Sequence, residues 1–306
     1  MPVYWRYVLF LLTLVAVTVW LAVIFYPSGK FRIIACDVGQ GDAILATYRK
    51  TQVLVDGGPS RRVIDCLSRH IPFWDRNLEV VLLTHPQKDH YMGLIEVFER
   101  YDVQLFITTG LDSSAQEYEV LKSLVTGKGV RVVNPESGMK IGYDLIYLDI
   151  LHPSKEFLAK NLTSEVAELT PPRWNEQNNV LGAFTSKKDP NDFSIVSILS
   201  FGEFDALLTG DIGPDVTGDI LKKGLIKDVD YLKVPHHGSK NGLTKELLDL
   251  SAPEIAVISS GRGNSYGHPH EETLNMLSSY GLRVLRTDEA GDIVVESDGK
   301  KIWLQN

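Results

Sequence analysis

Four times in this chain an apolar run stops abruptly on a side chain able to bind a metal. "LEVVLLTH" ends on His85, with Asp89 and His90 just after; "LIYLDILH" ends on His152; "FDALLTGD" ends on Asp211; "YLKVPHHGS" runs into His236 and His237. A fifth run, "EIAVISSG", leads through "RGNSYGHPH" to His268 and His270. Only His70 lies outside these segments among the histidines, and like Asp192 it has no such context and reads as structural. Short apolar runs bounded by turn residues are buried strands. In α/β sheets the loops at the carboxyl ends of strands gather at one edge, where sites form. The fold must therefore bring several strand ends together. Imidazole and carboxylate in one place suit Zn²⁺, Mn²⁺ or Fe²⁺. Taken singly, His152 before Pro153 is an ordinary loop residue, and Asp211 has the place of a helix cap for "PDVTGDILKK". Their recurrence at strand ends argues for a site.

The rest of the chain supports that geometry. "FRIIACDVG", "AILATY" and "QVLVDGG" read as a meander turning at Arg49-Lys50. Helix-like runs ("RRVIDCLSRHI", "GLIEVFERY", "AQEYEVLKSLV") then alternate with strand-like ones ("LEVVLLT", "VQLFITT", "VRVVN"). "DFSIVSILSFGEFDALLTGD" reads as a hairpin turning at Gly202-Glu203. A second alternating run follows, from "VTGDILKKG" to the strands "RVLRT", "DIVVES" and "KIWLQ". This is the pattern of one sheet-rich α/β domain with helices outside. Residues Ser154 to Pro190, with "TPPRWNEQNN" and "SKKDP", break the rhythm and read as a long surface loop, either a partly helical lid or a plain insertion.

Residues 1–29 differ from the remainder. Tyr7 to Tyr26 carry no charge, and as a helix they span about 30 Å, the thickness of a bilayer's hydrocarbon core. Tyr4, Trp5, Tyr7 and Tyr26 stand where interfacial aromatics stand. The apolar stretch is longer than that of a signal peptide and no A-x-A-like exit precedes Pro27, so an uncleaved single-pass anchor is expected. Arg6 on one side and Lys30 and Arg32 on the other leave its orientation almost undecided. The 306 residues carry 44% hydrophobic side chains and a net charge of −8. That excludes a disordered chain and argues mildly against an electropositive nucleic-acid binder. A nucleic-acid substrate stays open, because bound metals supply positive charge locally. Cys36 and Cys66 make no metal knuckle and read as core residues, with one bridge between them open if the domain lies outside the cell.

His85-x-x-x-Asp89-His90, then His152, Asp211 and a late histidine, resembles the metallo-β-lactamase superfamily, whose leading motif is H-x-H-x-D-H. "DVGQGDAILA", "LVDGG", "THPQKDHYMGL", "ILHP", "NDFSIV", "LLTGD", "LKVPHHGS" and "SYGHPH" resemble more specifically the C-terminal hydrolase domain of the competence protein ComEC. The resemblance covers nearly everything after residue 30. It includes no counterpart of ComEC's multi-helix channel, so a separate DNA-channel protein is an expected partner.

The resemblance implies an αββα sandwich over residues 30–306 with one or two divalent ions, Zn²⁺ or Mn²⁺, at one edge. By position, His85 and His152 serve a first metal; Asp89, His90 and a late histidine serve a second; Asp211 bridges. The late histidine is His237 or else His268, and whichever is not a ligand protonates the leaving group. Asp56 matches an aspartate that braces the site, and His236 is a ligand or lies behind one. Ser239, Lys240, Arg262 and Asn264 lie in nearby loops, as phosphate contacts or simply as loop-forming residues. The expected function is a membrane-anchored nuclease acting on DNA outside the membrane, in connection with DNA uptake. A hydrolase of another ester or lactone, and a binding module on a degraded site, are the alternatives. The last draws on Gln87, which stands where the motif has a ligand: a neutral amide is a poor ligand for Zn²⁺. It leaves Asp89 and His90 in place, so the second metal is expected to bind tightly and the first weakly or not at all.

Overall fold

The structure, a computed structural model, describes residues 3–24, 29–164 and 181–305. Helix α1 (Val3–Ile24) comes first, then β1 (Phe31–Ala35), β2 (Ile44–Tyr48) and β3 (Thr51–Val55) as the expected antiparallel meander. There follow α2 (Arg62–His70), β4 (Asn77–Leu82), α3 (Lys88–Arg100), β5 (Asp102–Ile107), α4 (Gln116–Gly127) and β6 (Arg131–Val133). Next are β7 (Lys140–Tyr143), β8 (Ile146–His152), α5 (Lys155–Asn161), the short pair β9 (Thr163–Ser164) and β10 (Phe184–Thr185), then β11 (Val196–Phe201) and β12 (Phe204–Leu208). The chain continues through α6 (Pro214–Lys222), β13 (Tyr231–Lys233), α7 (Lys245–Ser251), β14 (Ile255–Ile258), α8 (Glu271–Ser279) and β15 (Arg283–Arg286). It ends with α9 (Thr287–Ala290), β16 (Ile293–Ser297) and β17 (Ile302–Leu304).

Two sheets result. One has the order β17-β16-β1-β2-β3-β4-β5-β6, the other β15-β14-β13-β12-β11-β8-β7. Both are antiparallel on one side and parallel on the other, because the tight turns of the meander and of the Gly202 hairpin permit antiparallel pairing while the helical crossovers require parallel pairing.

Three buried clusters define the layers. Ile33, Ala46, Val80 and Val295 of the first sheet meet Leu148, Leu199, Leu208 and Val257 of the second between the sheets. The opposite face of the first sheet packs on α2, α3 and α4 through Leu67, Tyr91, Phe98 and Leu121. The outer face of the second packs on α6, α7 and α8 through Val216, Leu247 and Leu277. This is the αββα sandwich. Each large side chain so buried contributes roughly 1.5–3 kcal/mol.

Two features depart from expectation. Strand β7 has the sequence "KIGY", mostly exposed, and shows no apolar pattern that would announce it. Helix α3 begins at Lys88, so Asp89 and His90 lie in its first turn. Cys36 and Cys66 are buried as expected, and a disulfide joins them, tying the end of β1 to α2. Of the long loop, Lys155–Asn161 is helical, while "TPPRWNEQNN" lies outside the described residues. Helix α1 is long and apolar enough to cross a membrane and is packed against nothing in the domain.

Candidate metal centre

Thr84 and His85 stand at the end of β4, facing Asp56 at the end of β3. Asp56 has φ 60°, a left-handed conformation uncommon outside glycine, and two glycines follow it. A β-carbon on Gly93 would collide with the Gly57 carbonyl oxygen, so α3 reaches this loop only because residue 93 has no side chain. The close approach puts His90 against Asp56. Asp56 Oδ1 accepts from the Thr84 N–H at 2.8 Å, and Oδ2 accepts from the Thr84 hydroxyl and from His90 Nδ1, both at 2.8 Å.

That network fixes which imidazole nitrogens stay bare. His90 Nδ1 donates to Asp56. The Thr84 hydroxyl gives its proton to Asp56, so it accepts from His85 Nδ1 at 3.0 Å. His237 Nδ1 donates to the Ser259 carbonyl at 3.0 Å. The Nε2 atoms of His85, His90 and His237 are buried and make no hydrogen bond. A buried polar nitrogen left without a partner costs about 1–3 kcal/mol. Second partners that hold Nδ1 and present Nε2 are what metal-binding histidines have.

Asp89, His90, Asp211 and His237 bring one ligand atom each within 4.8 Å of one another. Asp211 Oδ2 lies 3.1 Å from His237 Nε2 and 3.3 Å from His90 Nε2; Asp89 Oδ2 lies 3.5 Å from His237 Nε2. His236 and His237 have φ of 51° and 54°, and Gly238 follows at 79°. Two successive non-glycine residues in the left-handed region are costly, and such strain collects at functional sites.

The charges need a cation. Burial alone pushes the Asp211 carboxyl up, but His237, His90 and Lys233 outweigh it and hold it well below the usual range. Burial is likewise outweighed at Asp89, chiefly by His90, and its carboxyl falls to about 2. The converse holds for His90, where Asp211 and Asp56 overcome burial, and for His237, where Asp211 and Asp42 do; both are raised well above the usual imidazole value. Without a metal, these imidazolium groups neutralise the carboxylates. An ion of charge +2 among the same atoms would take over that role, so the residues present fit a divalent metal.

The remaining expected residues fall into place unevenly. His85 stacks beside His90 at 4.2 Å between ring centroids, its pKa pushed down to about 3 by burial and by His90. His152 belongs to none of the ligand groups among the described residues. Its Nε2 meets the Asp192 carbonyl at 2.9 Å, and its ring lies edge-on to Phe157. Gln87 stands at the N-cap position of α3 without capping it by its side chain, and turns its amide to Asp189 at 3.4 Å. His236 is half-buried, with Nε2 4.0 Å from Asp211. His268 lies further out, its ring 6.4 Å from that of His237, and Gln40 Nε2 is 3.4 Å from its Nδ1. The Gln40 oxygen accepts from the Gly261 N–H, so the amide nitrogen donates to His268 and leaves the ring proton on Nε2. Asn264 accepts from Tyr266 and His268 and donates to Gly261, which makes it the staple of this loop. Ser239 is buried beneath α8, where its carbonyl accepts from Thr273. Lys240 and Arg262 are exposed, and Arg262 donates to the Asp288 carbonyl.

Sequence reasoning missed Asp42 and Lys233, both buried against the cluster, and the hydroxyls of Thr84 and Ser194. A lysine inside the apolar run "YLKVP" and an aspartate between a glycine and an alanine were the available signals.

The comparisons agree with this architecture. ComE operon protein 3 of Bacillus subtilis (strain 168) is 28% identical over 298 residues, covering 90% of this chain and 34% of that protein. Recombination protein 2 of Haemophilus influenzae is 25% identical over 273 residues, covering 88% and 29%. The chain thus spans about a third of the length of these relatives. Among solved structures, the metallo-β-lactamase fold protein YhfI from Bacillus subtilis superposes with a TM-score of 0.53 at 11% identity, covering 88% of this chain and all of that one. The family model described as the metallo-beta-lactamase superfamily matches residues 36–262, from the end of β1 to the loop beyond β14, and the chain belongs to that superfamily.

Proposed function

We propose that this protein is a membrane-anchored, metal-dependent phosphodiesterase that acts on DNA in connection with DNA uptake. The observation that carries the reading is the group Asp89, His90, Asp211 and His237, with bare imidazole nitrogens turned inward. These four would hold one ion tightly. His85 would serve a second, weaker position, joined by His152 only if its bond to Asp192 is given up.

A divalent ion at such a site supplies positive charge to a phosphodiester and acidifies water at neutral pH. The chain's own residues do the rest. Asp56 and Thr84 keep His90 and His85 in the tautomers that present Nε2. His268, pushed down to about 4 by burial and by the neighbouring imidazoles, is neutral at pH 7 in the metal-free protein and holds its proton on Nε2. From there it would donate a hydrogen bond to the leaving oxygen, which takes its proton from solvent. Lys240 and Arg262 supply exposed positive charge for flanking phosphates.

The competence relatives support DNA as the substrate class, and the apolar helix α1 supports the anchor. The Cys36–Cys66 disulfide supports an extracytoplasmic position for the domain, since such bridges persist in oxidising compartments.

The full chain in detergent should cleave DNA with Mn²⁺ or Zn²⁺, and His90→Ala should lose that activity. Intact DNA with the wild-type chain, or equal cleavage by His90→Ala, would defeat the reading. The net charge of −8 favours a second reading, hydrolysis of a small ester or lactone. A salt-insensitive rate on such an ester, without DNA affinity, would establish it.

A further inference from the structure

The motifs "DVGQGDA" and "LKVPHHGS" each contain a buried charged residue outside the group of Asp89, His90, Asp211 and His237, namely Asp42 and Lys233. Both side chains are almost completely buried, at 2% and 1% exposure, and they form an ion pair. Lysine has three protons to donate, and Lys233 has three acceptors: Asp42 Oδ2, the Gly210 carbonyl at 3.0 Å and Asp211 Oδ1 at 3.4 Å. Asp42 reaches the same group from the other side. Its Oδ1 lies 3.3 Å from His237 Nδ1, and its N–H donates to the Asp89 carbonyl at 3.3 Å. The ion pair thus touches Asp211 and His237, two of the four clustered residues, and the backbone of Asp42 holds that of Asp89.

Stability is a poor reason for such a pair. The desolvation of two buried charges usually consumes what their attraction returns, and an apolar pair of the same shape serves as well or better. What this pair does is sort the oxygens of Asp211. With Oδ1 on Lys233, only Oδ2 faces His90 and His237.

We propose that Lys233, seated by Asp42, is a positioning residue of the metal centre, which holds Asp211 so that a single carboxylate oxygen is presented to the ions. This rests on reading the group as a metal centre. It gives "DVGQGDA" and the lysine of "LKVPHHGS" one shared purpose, met from two strands distant in sequence. It also predicts that Asp211 does not chelate one ion through both oxygens.

The test uses the full chain in detergent with Mn²⁺ as the probe. Lys233→Met alone removes the ammonium from between two buried carboxylates and is expected to fold poorly. The charge-balanced pair Asp42→Asn with Lys233→Met removes both charges together. Circular dichroism and thermal unfolding report its fold, and isothermal titration and the Mn²⁺ EPR spectrum report the centre. A folded pair variant should bind Mn²⁺ at least tenfold more weakly, with an altered spectrum. Wild-type affinity and spectrum in that variant would overturn the proposal. Should neither variant fold, the crystal structure of the Mn²⁺-loaded wild type decides. Asp211 Oδ1 on Lys233 with Oδ2 on the ion supports the proposal; an Asp211 that chelates through both oxygens refutes it. A wild-type chain that takes up no divalent ion removes the metal-centre reading itself, and the proposal with it.

Discussion

Two clusters in this molecule hold the same kinds of residue and differ in what their atoms still lack. Around Asp211 are His90, His237 and Asp89; around Asp292 are His70 and Cys66, also within 4.8 Å of one another. At Asp292 both oxygens are hydrogen-bonded. Oδ1 accepts from the Asp37 N–H at 2.9 Å, and Oδ2 accepts from Arg69 Nε and His70 Nε2, each at 2.9 Å. The Cys66 sulfur is in the disulfide and has no thiolate to offer. At Asp211 the Nε2 atoms of His90 and His237 are buried, make no hydrogen bond and converge on Oδ2 at 3.3 and 3.1 Å. A list of His, Cys and Asp is therefore not yet a site. Unfilled ligand valence turned to a common point is what separates a chemical cluster from a structural one.

The largest test of that contrast is to remove one member of each. His90→Ala takes away a bare Nε2 and the donor on Asp56, and should lower DNA cleavage at least about 100-fold, with loss of tightly bound Mn²⁺. Asp292→Asn should leave both unchanged. Equal loss of Mn²⁺ in the two variants, measured by titration, would break the comparison.

Next in size is the bridge. The double variant Cys36→Ser, Cys66→Ser opens a loop with a sequence separation of 30. It should destabilise the domain by about 3.7 kcal/mol, the chain-entropy value for a loop of this length. Urea unfolding measures the loss, and Mn²⁺ affinity should stay within a few-fold of wild type. A large fall in affinity would mean that the bridge also sets the centre, since β1 leads from Cys36 into the loop of Asp42.

Asp292 offers a smaller, pH-dependent effect. Burial pushes its carboxyl up, but the bonds from His70, Asp37 and Arg69 outweigh that and bring it to about 2. Because the folded value lies below the unfolded one of about 3.9, its contribution is fully present above pH 4 and is lost as the pH falls toward 2. Asp292→Asn should cost about 1–3 kcal/mol at neutral pH, with the difference from wild type shrinking through that window. A gap that stays constant from pH 7 to pH 2 would show that the carboxylate charge contributes nothing there.

The contrast also explains what the sequence could and could not convey. The sandwich was legible because apolar runs with the right period and length need only their own residues to be recognised; β7, exposed and carrying a glycine, was not. His85, Asp89, His90, Asp211 and His237 were legible because each follows a strand directly. His70, which no strand delivers, bonds Asp292. Asp42 and Lys233 were hidden because their meaning lies in a contact between distant segments, as does the meeting of Cys36 with Cys66. The choice between His237 and His268 likewise required the left-handed turn at His236 and His237, which places the ring of His237, and not that of His268, against Asp211.

The smallest expected effect lies inside the metal centre, at the one position where it behaves like the Asp292 cluster. Gln87 spends its amide on Asp189, and His152 spends Nε2 on Asp192, so of the first metal's expected residues only His85 keeps a free Nε2, while His90 and His237 both do beside Asp211. Wild-type protein should therefore bind one ion tightly and a second weakly. Gln87→His restores an imidazole two residues after His85. Recruiting His152 as well would cost the hydrogen bond to Asp192, about 1 kcal/mol, which a metal–imidazole bond readily exceeds. The variant should bind the second equivalent of Zn²⁺ roughly tenfold more tightly and cleave DNA several-fold faster. Two equal, tight sites in the wild type, or unchanged stoichiometry and rate in Gln87→His, would show that residue 87 does not limit the first position and that the asymmetry has another cause.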